Sequence, residues 1–198
     1  MASLASLRRI AAPLALGLAA AGVACGDITG PQAVLSTVSD TASVYALNGA
    51  PPGAPTALYI FAGSMVRADA NFRFDIAFDI DATGKIILMP VRTVASPLTS
   101  AHQVGLQTVA TPYNDLLTAP LSGYRNDSTL TVLPNTVVVI ESVDPAACAS
   151  SFYGTTTYAK LVIDAVDPVN RVLKTRFTVE PNCGFHSFAP GVPKNPKD

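Results

Sequence analysis

The chain has 198 residues, enough for one domain and a leader, and it is 49% hydrophobic and only 14% charged, with a formal net charge of −1. No basic cluster able to neutralise phosphates is present, which excludes a nucleic-acid or other polyanion binder. The wealth of Val, Ile, Thr, Ala and Phe is the composition of packed strands.

Residues 1–24 read as a signal peptide. Arg8 and Arg9 form a basic start, and an apolar stretch follows from Ile10 to Val23. That stretch is too short for a good membrane-spanning helix and is interrupted by Pro13 and Gly17. It ends in Gly22-Val23-Ala24-Cys25, which resembles the bacterial lipobox, with Gly22 where that motif usually has Leu. The resemblance implies cleavage before Cys25 and diacylglycerol on its thiol, an anchor that holds a protein stably at a membrane. The alternative is an ordinary secretory cut after Ala24 that leaves Cys25 a free thiol. Asp27 stands one position beyond the place that favours inner-membrane retention, so the outer membrane is the expected address. Residues 25–40 are then a lipidated tether, 41–189 a single domain and 190–198 a frayed tail. The part after residue 24 carries 11 basic and 14 acidic residues, a net charge of −3.

Beyond the leader the hydrophobic signal has period two, punctuated by Pro, Gly, Asn and Asp. Short strands are expected at Ala42 to Leu47 and Ala57 to Phe61, with the Pro51–Pro55 stretch a loop between them. The clearest strand is Asn71 to Asp81. Phe72, Phe74, Ile76, Phe78 and Ile80 share one face; Arg73, Asp75, Ala77, Asp79 and Asp81 share the other, which reads as wet. A turn at 81–84 leads into Lys85 to Val91, with Pro90 ending the pair or marking an edge. Another strand is expected at Gln103 to Ala110. A second hairpin is expected from Ser128–Leu133 and Thr136–Ser142 about Pro134-Asn135, its run Val137 to Ile140 buried on both faces. A third pairs Thr157–Ala165 with Val172–Val179 about Asp167-Pro168-Val169-Asn170. These amount to about nine strands, predominantly antiparallel, in a sandwich or flattened barrel.

With Cys25 assigned to lipid, Cys148 and Cys183 form an even pair, which in an exported protein reads as a disulfide rather than two separate thiols. Closing that 35-residue loop would contribute roughly 3–4 kcal/mol in the chain-entropy model. No CxxC pair suggests a redox or zinc site.

Asp79, Asp81, Thr83 and Gly84 match the first half of a calcium loop, but the twelfth position is Pro90 where a bidentate Glu is required, so the segment reads as a hairpin turn. His102 and His186 are the only histidines. They are either unrelated surface residues or a pair of imidazoles able to ligate a transition metal or haem iron. Tyr113, Tyr124, Tyr153 and Tyr158 either pack in the core or line an apolar pocket. No GxSxG elbow, HExxH helix or Gly-rich phosphate loop occurs, so an enzyme is not expected.

Phe74-Asp75-Ile76-Ala77-Phe78 resembles the Trp-Asp-(Ile/Leu)-Ala-Phe strand of the HmuY-type lipoproteins, which bind haem outside the cell, with Phe74 in place of the Trp. The run Asn135–Ile140, then Tyr158-Ala159-Lys160-Leu161 and Val172–Val179, resembles that family's closing strands. The likeness spans roughly residues 72–179 and implies a β-sandwich lipoprotein with haem as a candidate ligand. The Cys148/Cys183 pair has no counterpart in that pattern.

Two functions follow. One is a monomeric envelope lipoprotein that binds haem or another small apolar ligand, with His102 and His186, or one of them with Met65 or Met89, meeting in a cleft. The other is a structural or interaction lipoprotein with no small-molecule ligand, scattered histidines and a filled core.

Overall fold

The computed structural model describes residues 32–69, 73–94 and 102–196. The leader, Cys25 and the first part of the expected tether, residues 26–31, lie outside these residues, as do Asn71 and Phe72.

Two antiparallel sheets face each other in a sandwich-like fold. The larger contains β1 (Val38–Tyr45), β6 (Gln103–Val109), β7 (Arg125–Asn126), β9 (Val137–Val143), β10 (Thr156–Asp167) and β11 (Val172–Glu180), in the spatial order β1-β11-β10-β9-β6-β7. The smaller contains β2 (Ala57–Tyr59), β3 (Ser64–Val66), β4 (Ile76–Ile80), β5 (Ile86–Pro90) and β8 (Leu130–Val132), in the order β3-β2-β4-β5-β8. A single helical turn, Val91–Val94, follows Pro90. The sheets do not close into a barrel. The nine expected strands are all present, joined by the very short β3 and β7.

Alternation along each strand sends one row of side chains between the sheets. Val44, Leu58, Phe78, Leu88, Leu106, Ile140, Leu161 and Phe177 from both sheets meet there in one core. The 156–180 hairpin forms as its sequence suggests. Asp167 Oδ1 accepts the backbone N–H of Val169 and Asn170 at 3.0 Å each, closing the turn. The 134–135 connection does not make a hairpin. It carries the chain from β8 in the smaller sheet to β9 in the larger, with Asn135 in the left-handed region at φ 66° and its N–H on Ile163 O at 2.8 Å. Turn residues signal a reversal but not which sheet the next strand joins.

The face of the larger sheet away from the smaller one is also covered. The excursion between β6 and β7 packs Leu116 and Ala119 onto Val137, Val139, Tyr158 and Phe188, with Tyr113 and Tyr124 against them. The excursion is stitched to the segment after β11: Ala119 N donates to His186 O at 2.8 Å and Phe188 N to Leu117 O at 2.7 Å. Gly105 makes room for this layer, since a Cβ there would meet Tyr124 Cβ at 2.7 Å. This second layer is why the Val137–Ile140 run is buried on both faces.

Two boundaries move, and one strand face differs from expectation. Residues 38–40 of the expected tether belong to β1, and the segment before them is fastened to the domain. Asn182 Oδ1 accepts Val34 N and Leu35 N at 3.0 Å each, and Asn182 Nδ2 donates to Leu35 O at 2.7 Å. The expected tail is tied back at Gly191, whose carbonyl accepts Thr37 N at 3.0 Å. The Asp75–Ala77–Asp79 row of β4, expected to be wet, is buried: Asp75 is 1% and Asp79 5% exposed. Each of these aspartates ties the smaller sheet to the larger. Period two separates the two rows of a strand, but coverage by other elements decides whether the second row meets water.

Candidate functional site

His102 lies just before β6, level with the end of β9, where Gln103 pairs with Val143. It reaches Asp75 Oδ1 with Nε2 at 2.8 Å and faces Asp144 Oδ2 with Nδ1 at 3.5 Å. Asp75 Oδ1 also accepts the Ser142 hydroxyl, and Asp75 Oδ2 accepts Ile60 N–H at 2.6 Å. Half-exposed Arg73 closes the cluster over Asp144 at 2.7 and 2.9 Å. A Ser, a His and an Asp thus come together that no sequence motif announced. Their order is not that of a nucleophilic triad, because the hydroxyl donates to the carboxylate and not to the imidazole. The cluster joins the sheets at one end of β4. At the other end Asp79 does the same with Arg171 Nη2 at 2.7 Å and Asn48 Nδ2 at 2.5 Å.

His186 lies elsewhere. Its ring stacks on Tyr158 with centroids 4.5 Å apart, and the Tyr158 hydroxyl donates to Glu141 Oε1 at 3.2 Å. Glu141 and Ser142 are consecutive in β9 and so project from opposite faces. His102 sits with Ser142 between the sheets, and His186 sits in the outer layer with Glu141. The two histidines expected to share a ligand are separated by the larger sheet. Met65 and Met89, the alternative partners, belong to the smaller sheet and pack against the main core. Nδ1 of His186 is buried and has no hydrogen-bond partner among the described residues; burial holds its pKa below the ordinary value. Burial likewise raises the Glu141 carboxyl and the Tyr124 and Tyr158 phenols.

The calcium-like turn uses its oxygens internally. Asp81 Oδ1 accepts Thr83 N, Thr83 Oγ1 and Lys85 N at 2.7–2.9 Å, and Gly84 takes φ 82°.

The outer layer leaves a cleft of about 500 Å³ between β1, β11 and the 110–124 excursion. Its wall is built by strand register: Lys160 of β10 pairs with Thr178 of β11, which pairs with Ser39 of β1. Lys160 is 3% exposed. Its ammonium donates to Tyr113 O at 2.7 Å and Leu116 O at 2.8 Å, and lies 4.5 Å from the Tyr113 ring centroid. Among the described residues no carboxylate pairs with it. Desolvation lowers its pKa, as expected of a buried ammonium. The Arg176 guanidinium also lies over the Tyr113 ring, 5.0 Å from the centroid, and is held by Asp164 at 2.7 and 2.8 Å. Tyr113 OH and Ser39 Oγ both meet Thr178 Oγ1, at 2.9 and 2.8 Å. Phe188 and Leu117 complete the apolar part of the wall. A recessed cation framed by aromatic carbon and hydroxyls suits an anionic group on an apolar body.

This cleft was not among the sites expected from sequence. A signal existed: Lys160 is the one charged residue in Thr157–Ile163, an apolar strand sequence, and a lysine there must be buried with partners or recessed for use.

Disulfide Cys148–Cys183 forms as expected, with Cα atoms 5.8 Å apart. It links the chain leaving β9 to the chain leaving β11 across the intervening β10. Tyr153 rests edge-on against Phe185 beside it, centroids 5.0 Å apart. Of the four tyrosines singled out, Tyr113 lines the cleft, Tyr124 and Tyr158 pack the outer layer, and Tyr153 lines a groove at the disulfide.

No protein-family model matches the chain, and searches of curated proteins and of solved structures find no match either.

Proposed function

We propose that this chain is an exported, lipid-anchored binding module of the bacterial cell envelope, and that its cleft takes a small apolar molecule bearing an anionic group. The observation that carries the reading is the Lys160 ammonium, buried at the cleft wall with two carbonyls and the Tyr113 and Phe188 rings; among the described residues no carboxylate forms an ion pair with it, although Asp40 also lines the cleft. An unpaired buried charge is costly, and a ligand carboxylate or similar anion would offset that cost on binding. Lipid anchoring rests on the Gly22–Cys25 lipobox resemblance, and a binding role in preference to catalysis rests on the sequence, which carries no GxSxG elbow and no HExxH helix. Haem remains a named candidate through its propionates. Ligation of one iron by both His102 and His186 is not part of the reading, because the larger sheet lies between them.

The test is a fluorescence titration of the mature protein with 8-anilinonaphthalene-1-sulfonate, an aromatic anion, and a parallel hemin titration by absorbance. Saturable binding of either probe that weakens at least about tenfold in Lys160→Met supports the reading, since losing one charge-assisted contact is worth about 1.5–3 kcal/mol. Binding unchanged in Lys160→Met removes the cleft from consideration. No binding of either probe favours an interaction lipoprotein without a small ligand.

A further inference from the structure

The end of the domain that carries the disulfide exposes apolar side chains in a cluster. Phe152 is 87% exposed, Val34 81%, Leu35 47% and Phe61 36%. With Tyr153 they surround a groove of about 290 Å³, and no Asp, Glu, Lys or Arg is among its lining residues. The cluster is tied to the body of the domain. Asn182 pins Val34 and Leu35, the Cys148–Cys183 bond closes its floor, and Tyr153 is braced on Phe185. Gly184 allows that brace: it takes φ 82°, and a Cβ there would come within 2.7 Å of Tyr153. The opposite end of the larger sheet, the 167–171 turn, exposes the adjacent Pro168 and Val169 between the polar Asp167 and Asn170, with Arg171 half-buried beside them.

We infer that this apolar end docks on the surface of the phospholipid bilayer that holds the chain. The inference rests on the lipid-anchor reading of Cys25. Seven residue steps separate Cys25 from Gln32, which span at most about 25 Å of fully extended chain. Gln32 to Leu35 themselves line the groove. A lipid on Cys25 therefore tethers the domain by the same end that carries the exposed Phe152 and Val34. A neutral apolar rim with Phe and Tyr is the chemistry that settles into the headgroup boundary of a bilayer, where a charged rim would not.

The chain contains no tryptophan, so Phe152→Trp places a reporter on a dark background. The full chain is produced with its leader, purified, and reconstituted in phosphatidylethanolamine/phosphatidylglycerol vesicles containing brominated acyl chains. Docking predicts that Phe152→Trp emission falls about twofold and shifts to shorter wavelength, as for an aromatic entering the interface, while Val169→Trp emission does not change. Anchored protein with equal responses at both positions overturns the inference. If the chain does not associate with membranes at all, or associates equally as Cys25→Ser, the lipid-anchor reading fails separately. Phe152→Trp protein added to preformed vesicles then decides the docking face by itself: quenching keeps it, and none ends it.

Discussion

The ammonium of Lys160 donates to the backbone carbonyl of Tyr113 at 2.7 Å and lies 4.5 Å from the centroid of the same residue's ring. One residue of the outer excursion thus holds the lysine from two sides, and the lysine in turn orders the excursion. Removing the charge should separate stability from binding. In Lys160→Met the Tyr113 and Leu116 carbonyls lose their donor, but a buried charge disappears. We expect a change in unfolding free energy within about 1 kcal/mol and loss of anionic-probe binding. A denaturant midpoint and a titration on the same variant check both; a large loss of stability would mean the lysine serves mainly to hold the excursion.

Glu180 should make the fold sensitive to pH. It is 0% exposed, its Oε1 accepts Asn182 N at 2.8 Å and Nδ2 at 2.5 Å, and its buried Oε2 has no partner among the described residues. Desolvation pushes its carboxyl from an ordinary 4.5 up to about 7. A carboxyl raised on folding stabilises the protein fully below its unfolded value, and that contribution is lost as pH rises from about 4.5 to about 7. Glu180→Gln should flatten this dependence, on the order of 2–3 kcal/mol across the window. Unfolding curves at pH 5 and pH 8 for both proteins measure it, and parallel curves would show that Glu180 does not titrate in the window.

His102 should matter for stability and not for the cleft. In His102→Ala the Asp75 carboxylate keeps Ile60 N–H and the Ser142 hydroxyl but loses its imidazole donor in a nearly dry site. We expect a loss of about 2–4 kcal/mol with probe affinity unchanged, because the cleft lies beyond the larger sheet. Weakened probe binding in a variant of undiminished stability would instead make His102 a ligand contact.

The disulfide should act on the end of the domain that bears the groove. Reduction, or the paired change Cys148→Ser with Cys183→Ser, removes a link closing 35 residues and should cost about 3 kcal/mol. Amide exchange should then rise first at residues 144–154 and 181–186. Uniform acceleration throughout both sheets would show that the link stabilises the whole sandwich and not that end alone.

Much of the architecture was legible in the residues. Alternation located the strands, the Asp167–Asn170 turn joined the last two, and an even cysteine pair in a chain with an export-like leader pointed to a disulfide. These are local or compositional properties, fixed by side-chain period, turn chemistry and cysteine count. What lies across a sheet is not local. Asp75 and Asp79 alternate with Ile76, Phe78 and Ile80 as wet residues would, and they are buried with partners distant in sequence, Ile60, His102 and Ser142 for the first and Asn48 and Arg171 for the second. His102 and His186 look equivalent on paper, and one strand's alternation between Glu141 and Ser142 puts them on opposite faces. Lys160 becomes a recessed cation only because the excursion bearing Tyr113 and Leu116 folds over β10. Pairing across long sequence separations decided these three, since burial and charge compensation depend on which distant segment arrives overhead and not on the residues alongside.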